Sequence, residues 1–273
     1  VVDGNNTVCS PKRLEKSNLF FKKKFMANFV FISDTHSNHK YMKYDVNDFI
    51  NINTQNVLIH SGDVSSMGTK FELEQFINWF KNLKYFDYKI FISGNHDFSF
   101  EEKNHNPEKF KWLYELLDKE TLSNFNTHYL EDQELIINLY DIDKPLKIYG
   151  SPWQPKYYNW AFNIERNSDM LKEKWDMIPN DVDILVTHTP PFGYLDVNNY
   201  GQNVGCERLK DKINTITPLV HSFGHIHEDY GVALIKETFF VNASTSNINY
   251  KVVNKPICLN IEQINDKIIV NYE

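Results

Sequence analysis

Three short apolar runs, residues 29–32, 57–60 and 88–92, alternate with stretches whose apolar residues recur at helical spacing. This alternation constrains the fold most. Residues 70–83 carry Phe71, Phe76, Trp79, Phe80 and Leu83 at that spacing. Residues 45–52 and 107–117 are read as further helices, the second with Pro107 in its first turn. Strand–helix–strand units of this kind imply a parallel sheet. The second half is richer in strands, predicted over residues 135–139, 146–149, 182–187, 219–223, 231–235, 239–242, 257–261 and 267–271. Helices are expected over 168–177 and 206–216. So many strands point to an α/β chain with two sheets rather than one. No Gly/Pro/Ser linker follows residue 26. Residues 26–273 are therefore read as one domain and residues 1–25 as an N-terminal tail or leader. Met26, placed just before the first strand, is a candidate original start.

The bulk numbers narrow the partners. At 41% hydrophobic residues the chain can bury a sizeable core, and its net charge of −7 argues against a duplex-DNA or other polyanion binder. It leaves room for a small phosphate-ester substrate, because bound metal ions invert the local field. Cys9, Cys206 and Cys258 are few and widely spaced. They make neither a disulfide framework nor a zinc knuckle and fit a reducing, cytoplasmic setting. No apolar stretch is long enough for a membrane span. The oligomeric state leaves no trace in the sequence.

Five polar segments each follow directly on a predicted strand: Asp34-Thr35-His36, Gly62-Asp63, Gly94-Asn95-His96-Asp97, His188 after Thr187, and Gly224-His225-Ile226-His227. In open α/β sheets the carboxyl ends of strands are where sites assemble. Segments remote in sequence can therefore converge on one crevice. Carboxylate, imidazole and amide together suit Mn, Fe or Zn, and the absence of thiolate argues against a structural zinc. In Asp-x-His and His-x-His, alternate side chains of an extended strand end would face one centre. Two divalent ions about 3.5–4 Å apart clamp the attacking and leaving oxygens of an in-line phosphoryl displacement and supply hydroxide near neutral pH. No G-x-S-x-G elbow offers a competing nucleophile. Singly, each segment reads as readily as a turn, a helix cap or a strand end; all five together leave that reading little room.

As a set these residues resemble the calcineurin-like metallophosphoesterase superfamily, whose pattern is D-x-H, G-D, G-N-H-[DE], H and G-H-x-H. Ile32-Ser33-Asp34-Thr35-His36-Ser37, Tyr149-Gly150-Ser151-Pro152-Trp153, Val204-Gly205-Cys206 and Val241-Asn242-Ala243-Ser244-Thr245 look closer still to the MPPED (metallophosphoesterase-domain-containing) family, from about Asn28 to the end of the chain. The resemblance implies a four-layer α/β/β/α sandwich with a dinuclear site holding two divalent metal ions, Mn favoured over Fe or Zn. It implies Asp34, His36, Asp63 and His227 at the first ion and Asp63, Asn95, His188 and His225 at the second, with Asp63 bridging. His96 is then the catalytic group that protonates the leaving oxygen, a task suited to imidazole near neutral pH. Some relatives carry Gly at the place of His225, which weakens their second site.

The activity implied is a metal-dependent phosphodiesterase, acting on small phosphodiesters with cyclic nucleotides among them. The alternatives are a phosphomonoesterase on nucleotides or small phosphates and, lower, a non-catalytic scaffold. The absence of Arg from the five segments favours the diester. Gly62-Asp63-Val64-Ser65-Ser66 lacks the Asp-Arg of Ser/Thr protein phosphatases, and Ser66 stands where purple acid phosphatases need a Tyr. Asp97 is expected to orient its loop or His96, and His60 to support a ligand from behind. The aromatic residues 152–163 are expected to wall a pocket or to pack on the core.

Overall fold

The computed structural model describes residues 25–272. The tail reading of residues 1–25, Cys9 included, thus lies almost wholly outside the described residues. The elements, in order, are strands β1 (Phe25–Ile32) and β2 (Gln55–Ser61), helix α1 (Lys70–Asn82), β3 (Tyr88–Ile92), helices α2 (Phe98–His105), α3 (Lys111–Leu116) and α4 (Lys119–Ser123), and strands β4 (Thr127–Tyr129), β5 (Gln133–Leu139), β6 (Ile142–Ser151), β7 (Gln154–Pro155) and β8 (Asn163–Ile164). Then follow α5 (Asp169–Asp176), β9 (Ile184–Thr187), α6 (Glu207–Ile216), β10 (Val220–Phe223), β11 (Gly231–Ile235), β12 (Thr238–Asn242), β13 (Ile257–Ile264) and β14 (Lys267–Tyr272). Met26 lies inside β1 rather than before it, paired with Glu262.

One sheet runs β14-β13-β1-β2-β3-β4 and the other β11-β12-β10-β9-β6-β5. β1 to β4 are parallel, as are β6, β9, β10 and β12. Antiparallel strands close both edges of the second sheet and one edge of the first.

Side-chain alternation makes the layers. Along β1, Phe29 and Phe31 face the space between the sheets with Val57, Ile59, Ile184, Val186 and Val220, while Val30 and Ile32 face outward onto Leu73, Phe76 and Phe80 of α1. On the far side, Leu185 and Phe223 pack under Leu171 and Trp175 of α5 and Leu209 and Ile213 of α6. The result is the four-layer α/β/β/α arrangement. No helix of the described residues is long and apolar enough to cross a membrane.

Two expected helices differ in the structure, and helices α2 and α4 were not expected. Residues 45–52 form only the 3-10 turn Val46–Phe49, with Asp45 capping Asn47. The helix expected over 107–117 reduces to Lys111–Leu116, because Asn106 before the proline is held out of the helical region (φ −141°, ψ 71°) and its side chain takes the N–H of Lys109 in a turn. Helix α2 was not anticipated; Phe98-Ser99-Phe100 alternates with period two and hides its helical stripe.

Candidate metal centre

All five polar segments emerge at the carboxyl ends of parallel strands: β1, β2 and β3 in one sheet, β9 and β10 in the other. Strand alternation does not place the donors of Asp-x-His and His-x-His. The chain leaves each strand before its donors, and Asp34, His36, Asp63 and His225 take left-handed backbone angles (φ 55, 42, 53 and 69°). Four strained non-glycine residues in one place mark a site whose surroundings over-determine it. Glycines permit the approach: a side chain at Gly94 would collide with Asp63, and one at Gly224 with Asp34.

The seven donors cluster as two sets, and a third grouping of His36, Asp63 and His96 joins them at the rim. Asp34, His36 and His227 form one, with His36 Nε2 3.2 Å from His227 Nε2 and His227 Nε2 3.3 Å from Asp34 Oδ1. Asp63, His188 and His225 form the other, with His188 Nε2 3.3 Å from Asp63 Oδ2 and 3.0 Å from Asn95 Oδ1. Asp63 lies between them, its Oδ2 also 3.8 Å from His36 Nε2. Ligands about 2.1 Å from one ion lie roughly 3.0–3.4 Å apart in octahedral or tetrahedral geometry, so these separations suit shared ions.

Hydrogen bonds around the donors fix their tautomers. His188 Nδ1 donates to the Ser61 carbonyl (3.0 Å) and His227 Nδ1 to that of Asn247 (3.1 Å), which turns each Nε2 lone pair inward. His188 Nε2 then faces two acceptors, which a bound cation reconciles and, without one, a proton on Nε2. Electrostatics agree. Burial alone would lower the His188 imidazole, but the charge and hydrogen bond of Asp63 lift it to about 9. Burial alone would raise the Asp34 carboxyl, yet the bond and charge of His227, with His188 and His36, hold it well below the usual range. Burial pushes His36 down to about 4 and His225 to about 3. Without metal the centre thus holds protons between its carboxylates and imidazoles. The donor set fits divalent ions.

Some supporting residues come from a segment given no role from sequence, and two, Asp97 and His60, from positions expected to support the site. Ser244 Oγ donates to Asp34 Oδ2 (2.7 Å), Ser246 Oγ to the Asp34 carbonyl (2.6 Å), and Asn242 Nδ2 to the Ile226 carbonyl (2.8 Å). The run 241–245 was visible as a motif, but nothing in it showed which hydroxyl reaches which ligand. Asp97 ties the second and third segments together by accepting from Val64 N, Ser65 N, Ser65 Oγ and Gly94 N. Buried near Asp63, it is raised to about 7. His60 bonds Thr35 Oγ1 (3.0 Å), between two donors, from a fully buried position.

His96 sits at the rim. Its N–H donates to Asp63 Oδ1 (2.8 Å), its Nδ1 to the Ser66 carbonyl (2.8 Å), and its Nε2 lies 4.0 Å from Asp63 Oδ2. A cavity of about 860 Å³ opens over the donors, walled by Tyr157, Tyr158, Trp160, Tyr200 and Tyr250. The aromatic segment thus divides: residues 155–160 line the pocket, while Trp153, Ala161 and Phe162 pack on the core. Lys156 and Arg166 stand on the same wall, so cations missing from the five segments arrive from elsewhere; Glu165 and Glu207 pair with them.

The sequence profile of calcineurin-like phosphoesterases matches residues 27–229. The chain belongs to that family. Metallophosphoesterase domain-containing protein 1 of Homo sapiens is 38% identical over 254 residues, covering 86% of this chain and 71% of that protein, and its Mus musculus counterpart matches equally. A UPF0046 protein of Caenorhabditis elegans is 38% identical over 224 residues, covering 75% of this chain and 54% of its own length. Among solved structures, the phosphopantetheinyl hydrolase PptH from Mycobacterium tuberculosis shares the fold at a TM-score of 0.52 and 14% identity, with 83% of this chain and 92% of that one covered. Family membership makes the chain a phosphoric ester hydrolase by kind and gives the clustered donors their natural occupants, divalent metals.

Proposed function

We propose that this chain is a two-metal phosphodiesterase acting on small phosphodiesters, cyclic nucleotides among them. The observation that carries the reading is the convergence of all seven donors under one open cavity. Asp34, His36, Asp63 and His227 would hold one ion, and Asp63, Asn95, His188 and His225 the other, manganese being the favoured metal. Such ions, when bound, neutralise charge on the phosphoryl oxygens and provide a nucleophile near neutral pH.

The chain's own groups supply the rest. Water adds to phosphorus as the bond to the leaving alcohol breaks. His96 acts as the imidazolium: Nδ1–H donates to the Ser66 carbonyl, Nε2–H turns toward the cavity and passes that proton to the leaving oxygen; the proton shed by the water restores it. The tyrosines of the wall offer faces for the organic part of the ester.

A monoesterase remains the second reading because Lys156 and Arg166 reach the cavity wall. Their pairing with Glu165 and Glu207 leaves little free charge for a dianion, which favours the diester. Rates on bis(4-nitrophenyl) phosphate, a cyclic nucleotide and 4-nitrophenyl phosphate, compared with added Mn and again with Zn, test the choice. The diester or cyclic nucleotide should react fastest; a dominant monoester rate overturns the reading.

A further inference from the structure

The loop between β7 and β8 is anchored at both ends before it reaches the site. Asp132 takes hydrogen bonds from Ser151 Oγ (2.7 Å) and Trp153 Nε1 (2.8 Å), and Gln154 N bonds the Phe162 carbonyl (3.0 Å). Near the β8 end, Ala161 N donates to the carbonyl of Asn95 (3.1 Å). One residue earlier, the Trp160 ring lies on the imidazole of His96, with centroids 4.1 Å apart and planes within 30°. Phe98 flanks the indole at 5.6 Å.

An imidazole held by one hydrogen bond at Nδ1 can still swing about that bond; with an indole on its face it cannot. The Ser66 carbonyl, the Trp160 face and the His36 ring, edge-on at 4.6 Å, together leave one direction for Nε2, toward Asp63 and the cavity. We infer that Trp160 is a positioning residue, whose stacked ring holds His96 so that Nε2 meets the leaving oxygen. The stack also occupies one face of Trp160, leaving Tyr157, Tyr158, Tyr200 and Tyr250 to meet the substrate's organic part. The inference rests on the reading of His96 as the proton donor.

The test is the dependence of kcat on leaving-group acidity in the Mn-loaded full chain, using phosphodiesters from 4-nitrophenyl to alkyl. Proton donation matters most for poor leaving groups and is worth about 10²–10⁴-fold. Trp160→Leu, which fills space but offers no ring face, should steepen the dependence and lose about tenfold in kcat on the alkyl ester. Trp160→Phe should restore most of the loss. A second readout needs no metal: the Nδ1–H proton resonance of His96 should persist in Trp160→Phe and broaden away in Trp160→Leu. If Trp160→Leu slows all esters equally and keeps that resonance while His96→Ala steepens the dependence, the positioning role is overturned and the donor reading stands. If His96→Ala shows the wild-type dependence, the donor reading itself falls and takes the proposal with it.

Discussion

Asp63 is the side chain on which both donor sets depend. Its Oδ1 takes the His96 N–H, and its Oδ2 faces His188 and His36. Asp63→Asn keeps the shape and one acceptor but removes the bridging charge. Turnover should drop by about a thousandfold or more, the far-ultraviolet dichroism should not change, and a rate near wild type would show the bridge is misassigned. His96→Ala should slow turnover by about 100-fold while both ions stay bound, as metal analysis of the variant will show; loss of an ion would make His96 a ligand. The five polar segments could be picked out from sequence because residue type carries their chemistry and strand ends place them, and the family resemblance narrows them to the seven proposed donors. Ser244, Ser246 and Trp160 could not, because hydroxyls and indoles are common and act here across contacts as long as 212 residues. The positive backbone angles were equally hidden, since Asp and His do not advertise them as glycine does.

At the scale of elements, the loops after β2 and β3 behave as one unit. Asp97 joins them with four hydrogen bonds, and Glu72 at the start of α1 adds Ser37 Oγ (3.0 Å) and Ser66 N (3.2 Å). Asp97→Ala would strand buried donors at 1–3 kcal/mol each and should destabilise the fold by about 3 kcal/mol or more in urea titration, weakening metal retention as well; a loss below about 1 kcal/mol would mean the loops are held elsewhere. The long strands and α1 were readable because their periodicity is sustained. The irregular stretch between β3 and β5 was not, because its short helices carry no sustained stripe: Asp118 caps one with its side chain, and those after Asp97 and Phe110 have no side-chain cap and rest on packing.

Across the whole molecule, buried histidines couple stability to acid. His221 is fully buried, bonded to Thr187 Oγ1 (2.8 Å), and pushed by burial from 6.5 to about 3. Its folded pKa lies below the unfolded one, so its contribution is complete above about pH 6.5 and is lost as pH falls toward the folded value. The slope is about 1.4 kcal/mol per pH unit for such a group. His221→Gln should flatten the fall in urea midpoint between pH 6 and pH 4; an unchanged slope would show that His221 is protonated in the folded state. The two-sheet frame exists, on this account, to bring five strand ends together around two ions. The direct measurement is metal content by mass spectrometry after incubation with Mn and desalting. About two ions per chain are predicted, falling to one or none in Asp63→Asn. A folded protein that retains no ion from Mn, Fe or Zn would contradict the account.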